Sequence, residues 1–382
     1  MRNRRGFVLA AAVLTSALVL VGCARDTGST APSGGGGTQA GACTKNPAPA
    51  GGGAGASTAP AAANSNAAGL KVGLAFDIGG RGDGSFNDSA AAGLEKTISD
   101  LGVQKGNTKE LSAAPNESED AAATRLRGLA SEGYNPIIAV GFKYATALKT
   151  VATENPNVRF AIVDDGSVEL PNVTPLLFAE EQGSFLVGAA AALKTQTCKV
   201  GFVGGVEQPL IQKFEAGFVQ GAKAVAPNIQ IDIKYISPAG DFTGFNDAAK
   251  GQAIAKGQLD AGADIVYHAA GASGQGVFQA AKAAGKSAIG VDSDQYNIPA
   301  YSGVKDVIIT SMLKRVDVAV FDYINAVAAG DTSKLPKTFD LKVDGVGYAT
   351  SGGKIDDIKT DLDAYKSAII SGAITVASKP SS

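Results

Sequence analysis

The chain has 382 residues, 45% of them hydrophobic and 18% charged, with a formal net charge of -2. That is length for about two domains and apolar content for a sizeable core. The near-neutral balance excludes the basic footprint of a nucleic-acid binder, and no polyanionic partner is expected.

Arg2, Arg4 and Arg5 precede an apolar run from Phe7 to Val21. A basic start and a run of that length predict a secretory signal over 1–22, not a spanning helix. Arg4-Arg5-Gly6-Phe7 partly matches a twin-arginine signal, but the general export route is preferred. Leu20-Val21-Gly22-Cys23 resembles the bacterial lipobox. That resemblance implies that Cys23 is diacylated, becomes the mature N-terminus and holds the chain to the membrane. Residues 24–68 are mostly Gly, Ala, Ser, Thr and Pro. Such a segment buries too little to offset its ordering entropy, so 23–68 reads as a lipidated, disordered tether. Cys43 and Cys198 would both lie outside the cytoplasm, where a bridge between them is permitted; two unpaired thiols are the alternative.

From Gly69 apolar runs alternate with Ala-rich helical stretches. The predicted strands are 71–76, 136–140, 159–163, 199–203, 229–235, 265–267, 287–291 and 307–310. The predicted helices are 86–101, 121–132, 144–154, 183–193, 211–224, 248–260, 274–284 and 315–329. This alternation predicts parallel sheets covered on both faces, an α/β protein. Two stretches look alike, one from Lys71 to Asp164-Asp165 and one from Lys199 to Asp292, each closing on a strand that ends in acid. Two facing lobes are expected, with a further C-terminal section.

The first strand breaks at Asp77 into a glycine-rich loop, and Ser85 stands as N-cap of the helix opening at Phe86, with Asp88 three residues on. Asp77, Phe86 and Asn87 would sit at the carboxyl end of that strand, where open α/β sheets take their ligands. An acid, an aromatic face and an amide suit a sugar hydroxyl and a flat ring better than a phosphate. Three motif matches are discounted. Ala280–Ser287 fits a relaxed P-loop but ends a helix and leads into a strand, the reverse of the working order. Gly201–Gly205 lacks dinucleotide-loop spacing, and Arg81-Gly82-Asp83 spells an adhesion tripeptide inside the loop. His268, the single histidine, has no partner set for a metal, and no cofactor is implied.

Taken in order, GDGSFNDSAAAGLEK, FAEEQGSFLVGAAAAL, KVGFVGG, FNDAAKG, GADIVYHAAGASGQGVF, IGVDSDQ and TSMLKRVDVAV resemble the basic membrane protein family of bacterial lipoproteins. That family includes purine nucleoside receptors of ABC importers, and the resemblance covers residues 70 to 350. It implies a type I periplasmic-binding-protein fold: two Rossmann-like lobes with parallel sheets, joined by a three-segment hinge. The boundaries expected are lobe 1 over 69–178 plus about 302–331, and lobe 2 over 179–301 plus about 332–378. Crossings are expected near Phe178–Gln182, near Gln295–Tyr301 and after Ala329.

By the same resemblance Asp77 hydrogen-bonds ribose, Phe86 stacks on the base, and Asn87 is a neighbouring polar contact. Phe245 is the second stacking ring, with Phe242 competing. Asp292 grips the ribose hydroxyls, Lys314 contacts the sugar, and Gly271 approaches through its backbone. Ser85 is a further candidate. Purine receptors carry an acid that reads the base edge, but the loop Gly141–Thr146 holds none; Asp164 and Asp165 are the candidates in its place. The expected function is an extracytoplasmic lipoprotein, monomeric, that captures nucleosides for an ABC permease and its ATPase. Alternatives are a binding protein for a sugar or other small metabolite, and an enzyme such as a nucleoside hydrolase. No nucleophile paired with a base supports the enzyme.

Overall fold

The computed structural model describes residues 43–50 and 64–381. The predicted signal segment, Cys23 and most of the predicted tether lie outside the described residues. The first half runs β1 (Val72–Phe76), α1 (Phe86–Asp100), β2 (Thr108–Ser112), α2 (Glu119–Ser131), β3 (Ile137–Ala139), α3 (Ala145–Glu154), β4 (Phe160–Val163) and β5 (Val173–Leu176). The second runs α4 (Glu180–Lys194), β6 (Lys199–Val206), α5 (Pro209–Val225), β7 (Gln230–Ser237), α6 (Ala248–Asp260), β8 (Ile265–Ala269), α7 (Gly274–Ala284), β9 (Ser287–Asp292) and β10 (Ile308–Lys314). The chain ends with α8 (Val316–Ala329), β11 (Val346–Tyr348) and α9 (Lys359–Ile370).

The first sheet has the order β2-β1-β3-β4-β5 and the second β11-β10-β9-β8-β6-β7. All pairings are parallel except β10 with β11. Without β11 the sheets are two copies of one order, with β1 matching β6 and β4 matching β9. The doubling expected from the two acid-ended stretches is therefore real. The central strands VGLAF, IIA and FAIV are buried throughout, as continuous apolar runs in a doubly covered parallel sheet must be. Ala75, Ile137 and Ala139 face α2 and α3, while Val72, Leu74 and Phe76 face α1 and α8. In the second sheet Val203, Val266 and Ala288 face α6 and α7, and Val200, Phe202 and Tyr267 face α4 and α5.

The hinge corrects the expected boundaries. The chain crosses first at Leu177–Ala179 and last around Phe339, and these two segments run side by side, with Phe339 N donating to Leu177 O at 2.8 Å and Ala179 N to Phe339 O at 3.2 Å. The middle crossing falls at Lys314–Val316, not near Gln295–Tyr301. β10 pairs with β9 in the second sheet, and only after it does α8 pack on α1 in the first lobe. Residues 302–314 thus belong with lobe 2, because the apolar run IITSMLK completes that sheet beside β9.

The expected disorder of 23–68 does not hold for its described parts. Cys43 is bridged to Cys198. Beside the bridge Asn46 N donates to Val225 O at 2.6 Å and Lys45 Nζ to Leu193 O at 2.7 Å, seating Cys43–Ala50 on lobe 2. Ala67 is buried in the lobe 1 core, and Ser65 N donates to Asn325 Oδ1 at 2.8 Å.

Candidate functional site

The carboxyl ends of β1, β3, β4, β6, β8 and β9 converge on a cleft between the lobes, about 560 Å³ including its mouth. Asp77, Phe86, Asn87, Phe245, Gly271, Asp292 and Lys314 all line it, and so does Asp164. Asp165 does not. Its carboxylate accepts from Ser167 N at 2.8 Å and Ser167 Oγ at 2.7 Å, holding the turn instead. Phe242 also stays out of the lining; its ring packs on Phe142 at 5.8 Å, so Phe245 is the ring inside. Phe245 comes close because Gly205 lies behind it, where a Cβ would sit 2.5 Å from the ring.

The start of α1 is built differently from the expectation. Ser85 occupies the N-cap position but its hydroxyl makes no cap. Asp83 does that work, accepting from Ser85 N at 2.9 Å, Asn87 N at 2.8 Å and Asp88 N at 3.0 Å, with the acid at the positive end of the helix. Of the adhesion-like tripeptide, Asp83 is turned inward and buried, while Arg81 and Gly82 stay exposed. Asn87 ties β1 to α1: its Oδ1 accepts from Asp77 N at 3.0 Å and its Nδ2 donates to Asp83 Oδ2 at 3.0 Å. The Ser85 hydroxyl donates to Asp292 Oδ2 at 2.5 Å, across the cleft.

Lys314 ends β10 at the middle crossing and is 1% exposed. Its ammonium lies 2.5 Å from Asp164 Oδ2 and 3.2 Å from Glu180 Oε1. The rings of Phe86, Phe178 and Phe214 stand 5.0, 5.1 and 5.6 Å away, within cation–π reach. Burial works against this charge, yet Asp164, Glu180 and Asp292 together raise the lysine well above its usual range. Burial pushes Asp164 up as well, with Lys314 pulling it back. A neutral Asp164 would take from the ammonium its nearest acid, so the charged pair is the better compensated state. Asp164 Oδ1 remains buried with no hydrogen-bond partner, an acceptor facing a cavity.

Burial raises Asp77 to about 6, Asp83 to about 6 and Asp292 to about 7. Asp164 and Asp292 close corresponding strands and both adopt left-handed backbone, at φ 69° and 64°. The same unusual bend presents one acid from each half. These raised groups have a measurable consequence. Above the usual carboxylate value, folded protein binds more protons than unfolded chain, so on their account stability falls as pH rises toward 7. Acids held low by partners, such as Asp363 and Glu117, act only below about pH 4.5, and His268, held neutral by burial, opposes the trend below its ordinary value but is one group against three. Ligand-free protein is therefore expected to melt several degrees higher at pH 5.5 than at pH 8. Scanning calorimetry showing the opposite slope would contradict these buried carboxylates.

His268 is buried against Phe278 and lowered by burial to about 3, so it is neutral. Among the described residues no acid, His or Cys cluster suits a metal, and no helix is long and apolar enough to cross a membrane. The P-loop look-alike is the end of α7 turning through Gly285 into β9. Phe142, Phe214 and Asp83, which the sequence does not single out, also line the cleft, from the loop after β3, from α5 and from the loop ahead of α1.

Two matching α/β lobes, three hinge segments and an interlobe cleft at the strand ends define a solute-binding protein of the type I periplasmic class. A solute-binding protein of an ABC transporter system from Aeropyrum pernix K1 shares the fold at a TM-score of 0.69 and 27% identity, over 81% of this chain and 93% of that one. The chain belongs to the Bmp family, described as PnrA-like ABC transporter substrate-binding protein, which matches residues 70–379. It is 40% identical to a CD4+ T-cell-stimulating antigen of Listeria monocytogenes, over 81% of this chain and 88% of that one. It is 35% identical to the ABC transporter nucleoside-binding protein BmpA of Lactococcus lactis, over 81% and 90%. It is a substrate-binding protein of an ABC transporter, not an enzyme.

Proposed function

We propose that the protein captures nucleosides, purines by preference, on the outer face of the cell membrane and hands them unaltered to an ABC permease. A lipid on Cys23 holds it there, and it works as a monomer. The observation that carries the reading is the cleft's composition: phenyl rings from both lobes, carboxylates from both lobes, and one ammonium already committed to acids. Two stacking rings contribute about 1–3 kcal/mol each. Hydrogen bonds from ribose hydroxyls to ionised Asp77 or Asp292 add about 1.5–3 kcal/mol each. Micromolar binding needs about 8 kcal/mol net, which these parts reach. Asp164 Oδ1 offers an unfilled acceptor to a base N–H, and a purine gives the rings the larger face. The surplus of acids disfavours a phosphate, hence nucleosides over nucleotides. The relative named as nucleoside-binding supports the same choice.

Mass spectrometry of the small molecule that copurifies, paired with a thermal-shift screen, tests this. A ribonucleoside at a hundred times its Kd should stabilise by about 2.7 kcal/mol, a rise of roughly 5–10 °C, and be recovered intact. A shift with free pentoses but none with nucleosides would overturn the reading in favour of a sugar.

A further inference from the structure

Three consecutive backbone carbonyls just ahead of α1 in lobe 1 each accept a hydrogen bond from lobe 2. Asp83 O accepts from Tyr301 Oη at 3.0 Å, Gly84 O from Gln295 Nε2 at 2.8 Å, and Ser85 O from Ser293 Oγ at 3.1 Å. The donors come from one stretch, 293–301, following β9. None of the three donor residues lines the cleft. Gln295 is fully buried and braced inside its own lobe, its Oε1 accepting from Val291 N at 2.9 Å and its N donating to Ser311 Oγ at 3.2 Å. Tyr301 is braced by Phe278, ring centroids 5.2 Å apart. On the lobe 1 side, Gly84 sits at φ 59°, and a Cβ there would lie 2.6 Å from Tyr301 Oη.

We propose that Gln295, Tyr301 and Ser293 form a latch that holds the lobes closed through the Asp83–Ser85 backbone, setting affinity without touching the ligand. Rotation of the lobes about the three hinge segments separates donors on lobe 2 from carbonyls on lobe 1, so these bonds exist only in the closed form. A ligand that needs that form is bound with an affinity reduced by the fraction of time the form is absent. Gln295 and Tyr301 are therefore positioning residues. A donor set aimed at carbonyls is indifferent to lobe 1 side chains, while the glycine at 84 lets the surfaces meet.

Tyr301→Phe removes the hydroxyl and keeps the ring on Phe278. It is expected to raise the nucleoside Kd about threefold, the scale of one neutral hydrogen bond, through a faster off-rate and by the same factor for every nucleoside bound. Gly84→Ala, which wedges the contact, is expected to cost more than about tenfold. Small-angle scattering of ligand-free protein should show a larger radius of gyration for both variants than for the parent. Unchanged Kd and unchanged scattering with only a lower melting temperature would mean the contact is fixed hinge structure and overturn the latch. So would losses that differ between nucleosides. The reading rests on the closed cleft binding nucleosides; if the parent binds none, that function fails, while the ligand-free scattering still decides the latch.

Discussion

Lys314→Met should lower the melting temperature at pH 7.5 by about 10 °C and reduce nucleoside affinity by at least about a hundredfold. The ammonium compensates two buried carboxylates, Asp164 at 2.5 Å and Glu180 at 3.2 Å, whose side chains are 3% and 0% exposed. Removing one partner of a buried pair costs about 3–5 kcal/mol; Glu180 keeps Lys213 at 3.0 Å, so the buried charge left without a partner is that of Asp164. Methionine fills the aromatic box around the lysine, so the loss is electrostatic and not a cavity. Two controls separate the causes. Lowering the pH to 5 lets the stranded acid protonate and should return part of the stability. Lys314→Met combined with Asp164→Asn should be more stable than Lys314→Met alone, a coupling that a simple packing defect lacks. Calorimetry across this set reads both.

Asp292→Asn is expected to move stability and binding in opposite directions. Burial holds this carboxyl near 7, so above pH 7 its ionised form costs the fold. The amide has nothing to ionise, and the ligand-free variant should melt a few degrees higher at pH 8 while matching the parent near pH 5. Binding should fall about ten- to a hundredfold, the scale of charge-assisted bonds to ribose hydroxyls. A 2′,3′-dideoxynucleoside makes the cycle complete: without hydroxyls to accept from, parent and variant should bind it equally weakly. Titration calorimetry with both ligands decides; an equal loss for both would place Asp292 elsewhere in the mechanism. By the same logic, parent affinity should decline as pH falls through 7, because ligand binding draws on the ionised acid.

Strong local signals carried most of the architecture. Runs such as VGLAF and FAIV are apolar because both faces of their strands are covered, and the Ala-rich helices between them could only be crossovers. What stayed hidden were strands with one neighbour. β2 reads TKELS and is half-buried, β5 reads VTPL with a proline tolerable only at an edge, and β11 has three residues. α9 lies in a C-terminal section too polar to stand out. The middle crossing was misplaced because a strand's sheet is decided by its partner, which no local pattern states.

The residues singled out by the family resemblance, Asp77, Phe86, Phe245, Gly271, Asp292 and Lys314, all face one cleft. The contacts among these side chains were not legible. Ser85 looked like a cap, but its hydroxyl crosses to Asp292 while Asp83 caps from two residues earlier. Lys314, which the resemblance makes a sugar contact, lies in the cleft lining and is also paired with Asp164 and Glu180. Both pairings join groups far apart in the chain, at separations of 207 and 150 residues, which spacing rules do not see.

The Cys43–Cys198 bridge decides where mechanical load enters the molecule. Cys198 precedes β6, whose other end reaches the cleft, so the bridge sits about 25 Å back from the ligand at the strand's rise per residue. Any pull from the amino-terminal side is delivered there, to the rear of lobe 2. With the lipid proposed on Cys23, lobe 2 takes that load and lobe 1 is left to turn about the hinge.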